Sequence, residues 1–224
     1  KGRKKVFLPP QLNYELCKFL GYFVTEGYSY LGSSAEIGLS NTDERIIRDM
    51  IQNIKNTFNV DPIDNIENNR TIRIVSLTIY EYLKENFPEI MEKSYNKRIP
   101  RQIFGMDRRG RIEFLRAAFD GDGGIESTAL AYYTSSKELA YDYQDLLLTL
   151  GIHSRILSER YKFWKNKEKS RLRYKIYIRG DSINKFHSLV INHLDSNEQL
   201  ERILCSGHSS NRRHDVVPPE TAHI

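Results

Sequence analysis

The chain is poor in the features that mark several large protein classes. Among 224 residues there are two cysteines, one tryptophan and three methionines. Cys17 and Cys205 stand near opposite ends and give neither a disulfide framework nor a zinc-ligand pattern, so a reducing, intracellular and cytoplasmic setting is the expectation. No apolar run approaches the roughly 18 residues of a membrane-spanning helix. The basic start, Lys1 to Lys5, is not followed by a long apolar segment, which argues against a secretory signal. There is no G-x-x-x-x-G-K-[ST], hence no P-loop. The six histidines lack zinc-ligand spacing. Asp120-Gly121-Asp122-Gly123-Gly124-Ile125 opens like an EF-hand, but the sixth position is Ile125 and the twelfth is Ala131, where glycine and glutamate are required.

What remains is a globular chain with enough apolar side chains for a core: 39% are hydrophobic and mean hydropathy is −0.57. The formal net charge of +5 conceals a steep local imbalance. Arg155–Arg179 holds ten basic side chains against Glu159 and Glu168, a local charge of +8. Tyr161, Phe163, Trp164, Tyr174 and Tyr177 are interleaved with them. Basic and aromatic residues mixed in this way suit a nucleic-acid surface, although a solvated hairpin would carry the same composition.

Hydrophobic spacing predicts a helix over Leu12–Glu26, a hairpin over Tyr28–Leu39 and a second helix with its stripe from Ile46 to Phe58. A turn-rich tip at Asn65–Asn69, a strand at Thr71–Val75 and a helix at Ile79–Phe87 follow. Lys97-Arg98-Ile99-Pro100 closes this half. The second half repeats the plan: helix Ile112–Asp122, strand Ala129–Thr134, a helix from Leu139 to Leu150, and a hairpin of Ile152–Tyr161 with Leu172–Ile178 around a polar tip. Helical segments Ile183–Ile191 and Glu198–Cys205 come last. The predicted divisions are 11–100, 101–205 and a polar tail, 206–224. The helix ends Glu26-Gly27 and Asp122-Gly123 lie 96 residues apart, as a tandem duplication requires.

The two helix ends carry the chemistry. Phe19-Leu20-Gly21-Tyr22-Phe23-Val24-Thr25-Glu26-Gly27 and Leu115-Arg116-Ala117-Ala118-Phe119-Asp120-Gly121-Asp122-Gly123 each place small residues four apart, Gly21/Thr25 and Ala117/Gly121. Such residues share a helix face and let two backbones approach closely. If the helices pack together, Glu26 and Asp122 meet at two negative helix ends, an arrangement that a divalent cation relieves. Oxygen-only ligands favour magnesium, with manganese as a substitute, over zinc.

These paired segments resemble the motif helices of the LAGLIDADG homing endonucleases in their single-chain, two-motif form, over about residues 11–205. Lys97-Arg98-Ile99-Pro100 is similar to the K-x-I-P block of intein-encoded members. The resemblance implies an α+β fold of two tandem αββαββα domains with pseudo-two-fold symmetry, whose antiparallel sheets form a DNA-binding saddle. It implies metal-dependent, staggered double-strand cutting of a long asymmetric DNA site by a monomer, with no protein partner and no membrane. An RNA maturase or a non-cleaving DNA-binding regulator on the same fold is the alternative; a basic adaptor for acidic proteins is a further rival. Glu26 and Asp122 map to the metal-binding acids, with Thr25 and Gly121 beside them in the candidate metal set. Lys97 maps to a basic residue assisting the chemistry. Lys175 is assigned either to the second active site or to a phosphate contact. The candidate DNA-binding set is Arg70, Arg73, Arg155, Arg160, Lys162, Lys165, Lys167, Arg171, Arg173 and Lys175, joined by Asn68 and Asn69 as base readers. Lys1 is no splicing nucleophile and Ala222-His223-Ile224 lacks a His-Asn pair, so self-splicing is not expected.

Overall fold

The computed structural model describes residues 5–65, 70–163, 166–191 and 198–205. In chain order the first half runs α1 (Tyr14–Glu26), β1 (Gly27–Leu31), β2 (Ala35–Ser40), α2 (Glu44–Phe58), β3 (Ile63–Asn65), β4 (Thr71–Val75) and α3 (Leu77–Asn86). A short helix α4 (Arg101–Phe104) leads into the second half: α5 (Arg108–Asp122), β5 (Gly123–Ile125), β6 (Leu130–Thr134), α6 (Lys137–Thr149), β7 (Ser154–Phe163), β8 (Asn166–Ile178) and α7 (Asp181–Phe186). A π-helical turn, His187–Ile191, continues α7, and α8 (Glu198–Cys205) ends the described chain.

Each half builds one four-stranded antiparallel sheet. The strand orders are β1-β2-β4-β3 and β5-β6-β8-β7, the same path twice. This is the predicted tandem αββαββα fold with two sheets.

Local chemistry sets the boundaries. Asn13 caps α1 by accepting from Leu16 N, Asp43 caps α2 through Arg45 N, and Asp107 caps α5 through Gly110 N. The α5 cap lies several residues before the expected start at Ile112, because the first turn, Arg-Arg-Gly-Arg, has no apolar stripe to reveal it. Alternation places one face of each sheet on the helices: Ile37, Leu39, Ile72 and Ile74 in the first, Leu130, Tyr132, Ile176 and Ile178 in the second, all buried. The core runs without a break through both halves, and α1 against α5 is its seam.

Two expectations need correction. The segment before the turn-rich tip, to which no element was assigned, forms a strand, Ile63–Asn65, that pairs with β4 and takes in Asn65 itself. The hairpin of β7 and β8 is far longer than predicted, with pairing from Ser154↔Ile178 to Phe163↔Asn166 and a register shift after Lys162. The polar stretch taken for a loop tip continues the ladder, because backbone hydrogen bonds in an antiparallel ribbon do not depend on side-chain polarity. Asn68, Asn69, Lys165 and the tail 206–224 lie outside the described residues, as do the side chains of Lys162, Lys167 and Arg171.

Candidate active site and nucleic-acid interface

The seam between α1 and α5 is as close as the small residues suggested. A Cβ added at Gly21 would lie 2.3 Å from the Phe114 carbonyl oxygen and 2.9 Å from the Ala117 Cβ. One added at Gly121 would lie 2.2 Å from Thr25 Oγ1 and 3.1 Å from Glu26 Cγ. Only glycine fits at either place, and the second contact puts the last turn of α5 directly against Glu26.

Glu26 and Asp122 therefore end their helices side by side. Burial, and then the charge of Asp122, push the Glu26 carboxyl up to about 7, against the pull of a 2.6 Å hydrogen bond from Asn41 Nδ2 and of Lys97. Burial pushes Asp122 up to about 6, with Lys97 opposing. Two carboxyls that resist ionisation near neutral pH, at the negative ends of two helices, form a site that a cation stabilises. The Thr25 side chain is turned back into its own helix, donating towards the Gly21 and Tyr22 carbonyls at 3.3 and 3.1 Å. Any contribution from Thr25 or Gly121 to a metal would come from backbone carbonyls of the last turn, which lack helical partners. Among the described residues no cluster of three or more His, Cys, Asp or Glu forms. A pair of acids and neighbouring carbonyls, all oxygen, is the donor set of a hard divalent cation that completes its shell with water and substrate phosphate.

Lys97 is the cation of the site. It is 3% exposed, and its Nζ donates to the Phe23 carbonyl at 2.7 Å and the Gly27 carbonyl at 2.6 Å, capping the end of α1. Its ammonium sits 5.1 Å from the Phe23 ring centroid. Burial lowers it to about 8, although Asp122 and Glu26 both favour its charge.

Lys175 has its own set of partners. It lies on the outward face of the second sheet, 3.4 Å from Glu126 Oε1 and 3.3 Å from Glu159 Oε2. Burial opposes its charge, but hydrogen bonds from it to Tyr177, Glu159 and Glu126 hold the ammonium above its ordinary value. Among the described residues, Lys97 is the lysine whose charge acts on both Glu26 and Asp122.

Asn41 is a site residue that the sequence analysis did not single out. Its signal is topological: the pairing Gly27↔Leu39 brings the residues after β2 back beside the end of α1. Its side chain serves twice, since Oδ1 also accepts from Asp43 N at 2.8 Å.

The outward sheet faces share a unit that the sequence did not reveal. In the first, the Tyr28 ring lies over Gly38, Tyr28 Oη donates to Glu36 at 2.8 Å, and Arg73 donates to the same carboxylate at 3.4 Å. In the second, Tyr133 lies against Gly124, Tyr133 Oη donates to Glu126 at 2.6 Å, and Lys175 approaches that carboxylate. Arg173 pairs with Glu159 on the same face. Arg155 and Arg160 are exposed, and Arg70, in the left-handed region at φ 53°, is exposed with its guanidinium on the Thr42 carbonyl. Among the described residues, the predicted cations are thus on the strands and their edges, and Arg73, Arg173 and Lys175 are paired with acids of the same face.

Comparison with known proteins agrees with this geometry. Residues 110–190 match the LAGLIDADG-like domain family. The chain is 31% identical over 180 residues to the replication factor C small subunit of Methanocaldococcus jannaschii, covering 79% of this chain and 9% of that protein. It is 33% identical over 147 residues to the replicative DNA helicase DnaB of Synechocystis, covering 61% of this chain and 16% of that protein. It spans only 8–17% of the length of such curated relatives. Among solved structures, the homing endonuclease I-DmoI superimposes with a TM-score of 0.56 at 16% identity, covering 80% of this chain and 96% of that one. I-WcaI, bound to its DNA recognition sequence, gives 0.56 at 16% identity and 85% coverage of both chains. The second half, residues 110–190, is thus a LAGLIDADG-like domain, and over most of its length the chain shares the duplicated fold of the homing endonucleases I-DmoI and I-WcaI.

Proposed function

We propose that the chain is a divalent-metal-dependent, site-specific DNA endonuclease that cuts both strands of a long asymmetric site. The observation that carries this reading is the meeting of Glu26 and Asp122 at the adjoining ends of α1 and α5, between two sheets whose outward faces bear the cations. A magnesium or manganese ion held there would supply Lewis-acid stabilisation of charge developing on the scissile phosphate. The chain's own residues do the rest. Glu26 and Asp122 hold the cation, Asn41 fixes the Glu26 carboxylate, and Lys97 offsets the negative charge of the pair and of an approaching phosphate. The close helix seam keeps the acids adjacent, so the two strands are served by overlapping sites. Structures of I-DmoI with DNA and manganese or calcium support a divalent ion and a DNA substrate for this fold.

The relatives' names support an insertion element. A replication factor subunit, a helicase and an aminotransferase share no activity, yet each resembles this chain over a small fraction of its own length. A segment carried inside unrelated hosts is what an intein-borne endonuclease would be. We read residues 11–100 and 101–205 as the halves that bind unlike half-sites, in one monomer and without a protein partner. Incubation with magnesium and duplexes spanning insertion-free host alleles tests the reading. Double-strand cutting of one allele is expected, lost in Glu26→Gln and Asp122→Asn with DNA binding kept. Cutting by both variants at the wild-type rate would overturn it.

A further inference from the structure

The segment joining the two halves is tied to both at a single residue. The Lys97 side chain ends on the carbonyls of Phe23 and Gly27 in the first half. Its backbone carbonyl accepts from Ser136 Oγ at 2.8 Å in the second half, and Ser136 is the residue that caps α6. The next residues are held still more firmly. Arg98 donates twice to Asp142, from Nε at 3.1 Å and from Nη2 at 2.7 Å, and Ile99 N donates to the same carboxylate at 3.0 Å. Asp142 lies on α6 and is 6% exposed, so three donors converge on a buried acid that points at the linker. An apolar residue there would leave the buried Ile99 N–H without an acceptor and the Arg98 fork without its partner, so the acid serves the linker. The fork of Arg98 on Asp142 is a planar two-bond contact, which fixes direction as well as distance.

We infer that Asp142, acting through Arg98 and Ile99, is a positioning residue for Lys97: the second half's α6 sets where the first half's catalytic lysine stands. This rests on the nuclease reading above for its functional meaning, while the clamp itself is purely structural. The device has a mechanical sense. Lys97 is the lysine that acts electrostatically on one carboxylate from each half. A linker free to drift would leave its ammonium following only α1. Anchoring its backbone on α6 makes its position a function of both halves.

The test uses the full chain and Arg98→Ala, chosen because the Arg98 side chain is about half exposed (48%) and its removal leaves no buried gap. Asp142→Asn, which keeps an acceptor for Ile99 N, is the second variant. Single-turnover cutting should slow about 10–100-fold in both while DNA affinity holds, the size expected when a supporting contact is lost and a reacting group shifts. In a Lys97→Met background, adding Arg98→Ala should cause no further loss beyond about twofold, because the clamp then has nothing to position. Equal slowing by Arg98→Ala with and without Lys97 would overturn the inference, as would a wild-type rate in Arg98→Ala. A second readout is independent of activity. An amine-reactive acylating reagent followed by mass spectrometry should modify Lys97 slowly in the wild type and at least about tenfold faster in Arg98→Ala. Unchanged protection in both variants sinks the clamp even if cutting proceeds, whereas a wild type that binds but never cuts sinks the nuclease reading and leaves the labelling result to judge the clamp.

Discussion

At the scale of single residues, the acids at the seam make a prediction with a definite sign. In the folded chain Glu26 titrates near 7 and Asp122 near 6, above the ordinary values of 4.5 and 3.8. Between about pH 4 and pH 7 the folded chain therefore holds protons that the unfolded chain releases, and the stability due to this pair falls as pH rises through that window. Without divalent ions, the melting temperature of Glu26→Gln should exceed that of the wild type at pH 8, and the difference should vanish at pH 5. Magnesium should raise the wild-type melting temperature at pH 8 and hardly at pH 5, where the protonated acids offer no charge to bind; equal gains at both pH values would place the ion elsewhere. The glycines make a second prediction. Gly21→Ala drives a methyl into the Phe114 carbonyl, so a loss of about 1–3 kcal/mol or more is expected in denaturant unfolding, with cutting impaired as the acids separate.

At the scale of elements, the long ribbon of β7 and β8 carries the chain's basic surplus. If it tracks phosphates, log affinity should fall with log salt at about −0.9 per phosphate neutralised. Replacing Lys162, Lys165 and Lys167 with alanine should flatten that slope by roughly one unit per contact, measured by titration across salt concentrations. An unchanged slope would move the DNA away from the ribbon. What the sequence showed and hid differs by element. The motif helices were legible because a 3.6-residue stripe, small residues four apart and a terminal acid all occur within nine positions. The ribbon's length was hidden because strand pairing here is made by backbone groups. Asn41, Asp142 and the Tyr-Glu-cation units were hidden for another reason: each depends on register between segments distant in sequence. Lys97 was found through a local motif, yet what holds it lies some forty residues on.

At the scale of the whole molecule, both motif helices belong to one chain, so the acid pair is complete without a second copy. Light scattering should find one protein on one asymmetric duplex of roughly 20 base pairs, some 70 Å at about 3.4 Å per pair along each strand. Two chains on a palindrome would mean that the acids pair between molecules. The seam itself shows why the single chain is favoured. At one level Gly21 faces Ala117; one turn on, Thr25 faces Gly121. Each level has one glycine, and the two come from different halves. Two first halves would set threonine against threonine, and two second halves alanine against alanine, where even one added carbon is already too close. The halves are thus like lock and key cut from one ancestral blank. Once a gene is cut between residues 100 and 101, the fragments should find each other and reject themselves, so that each half-site can drift in sequence without ever raising a palindromic, self-mating enzyme.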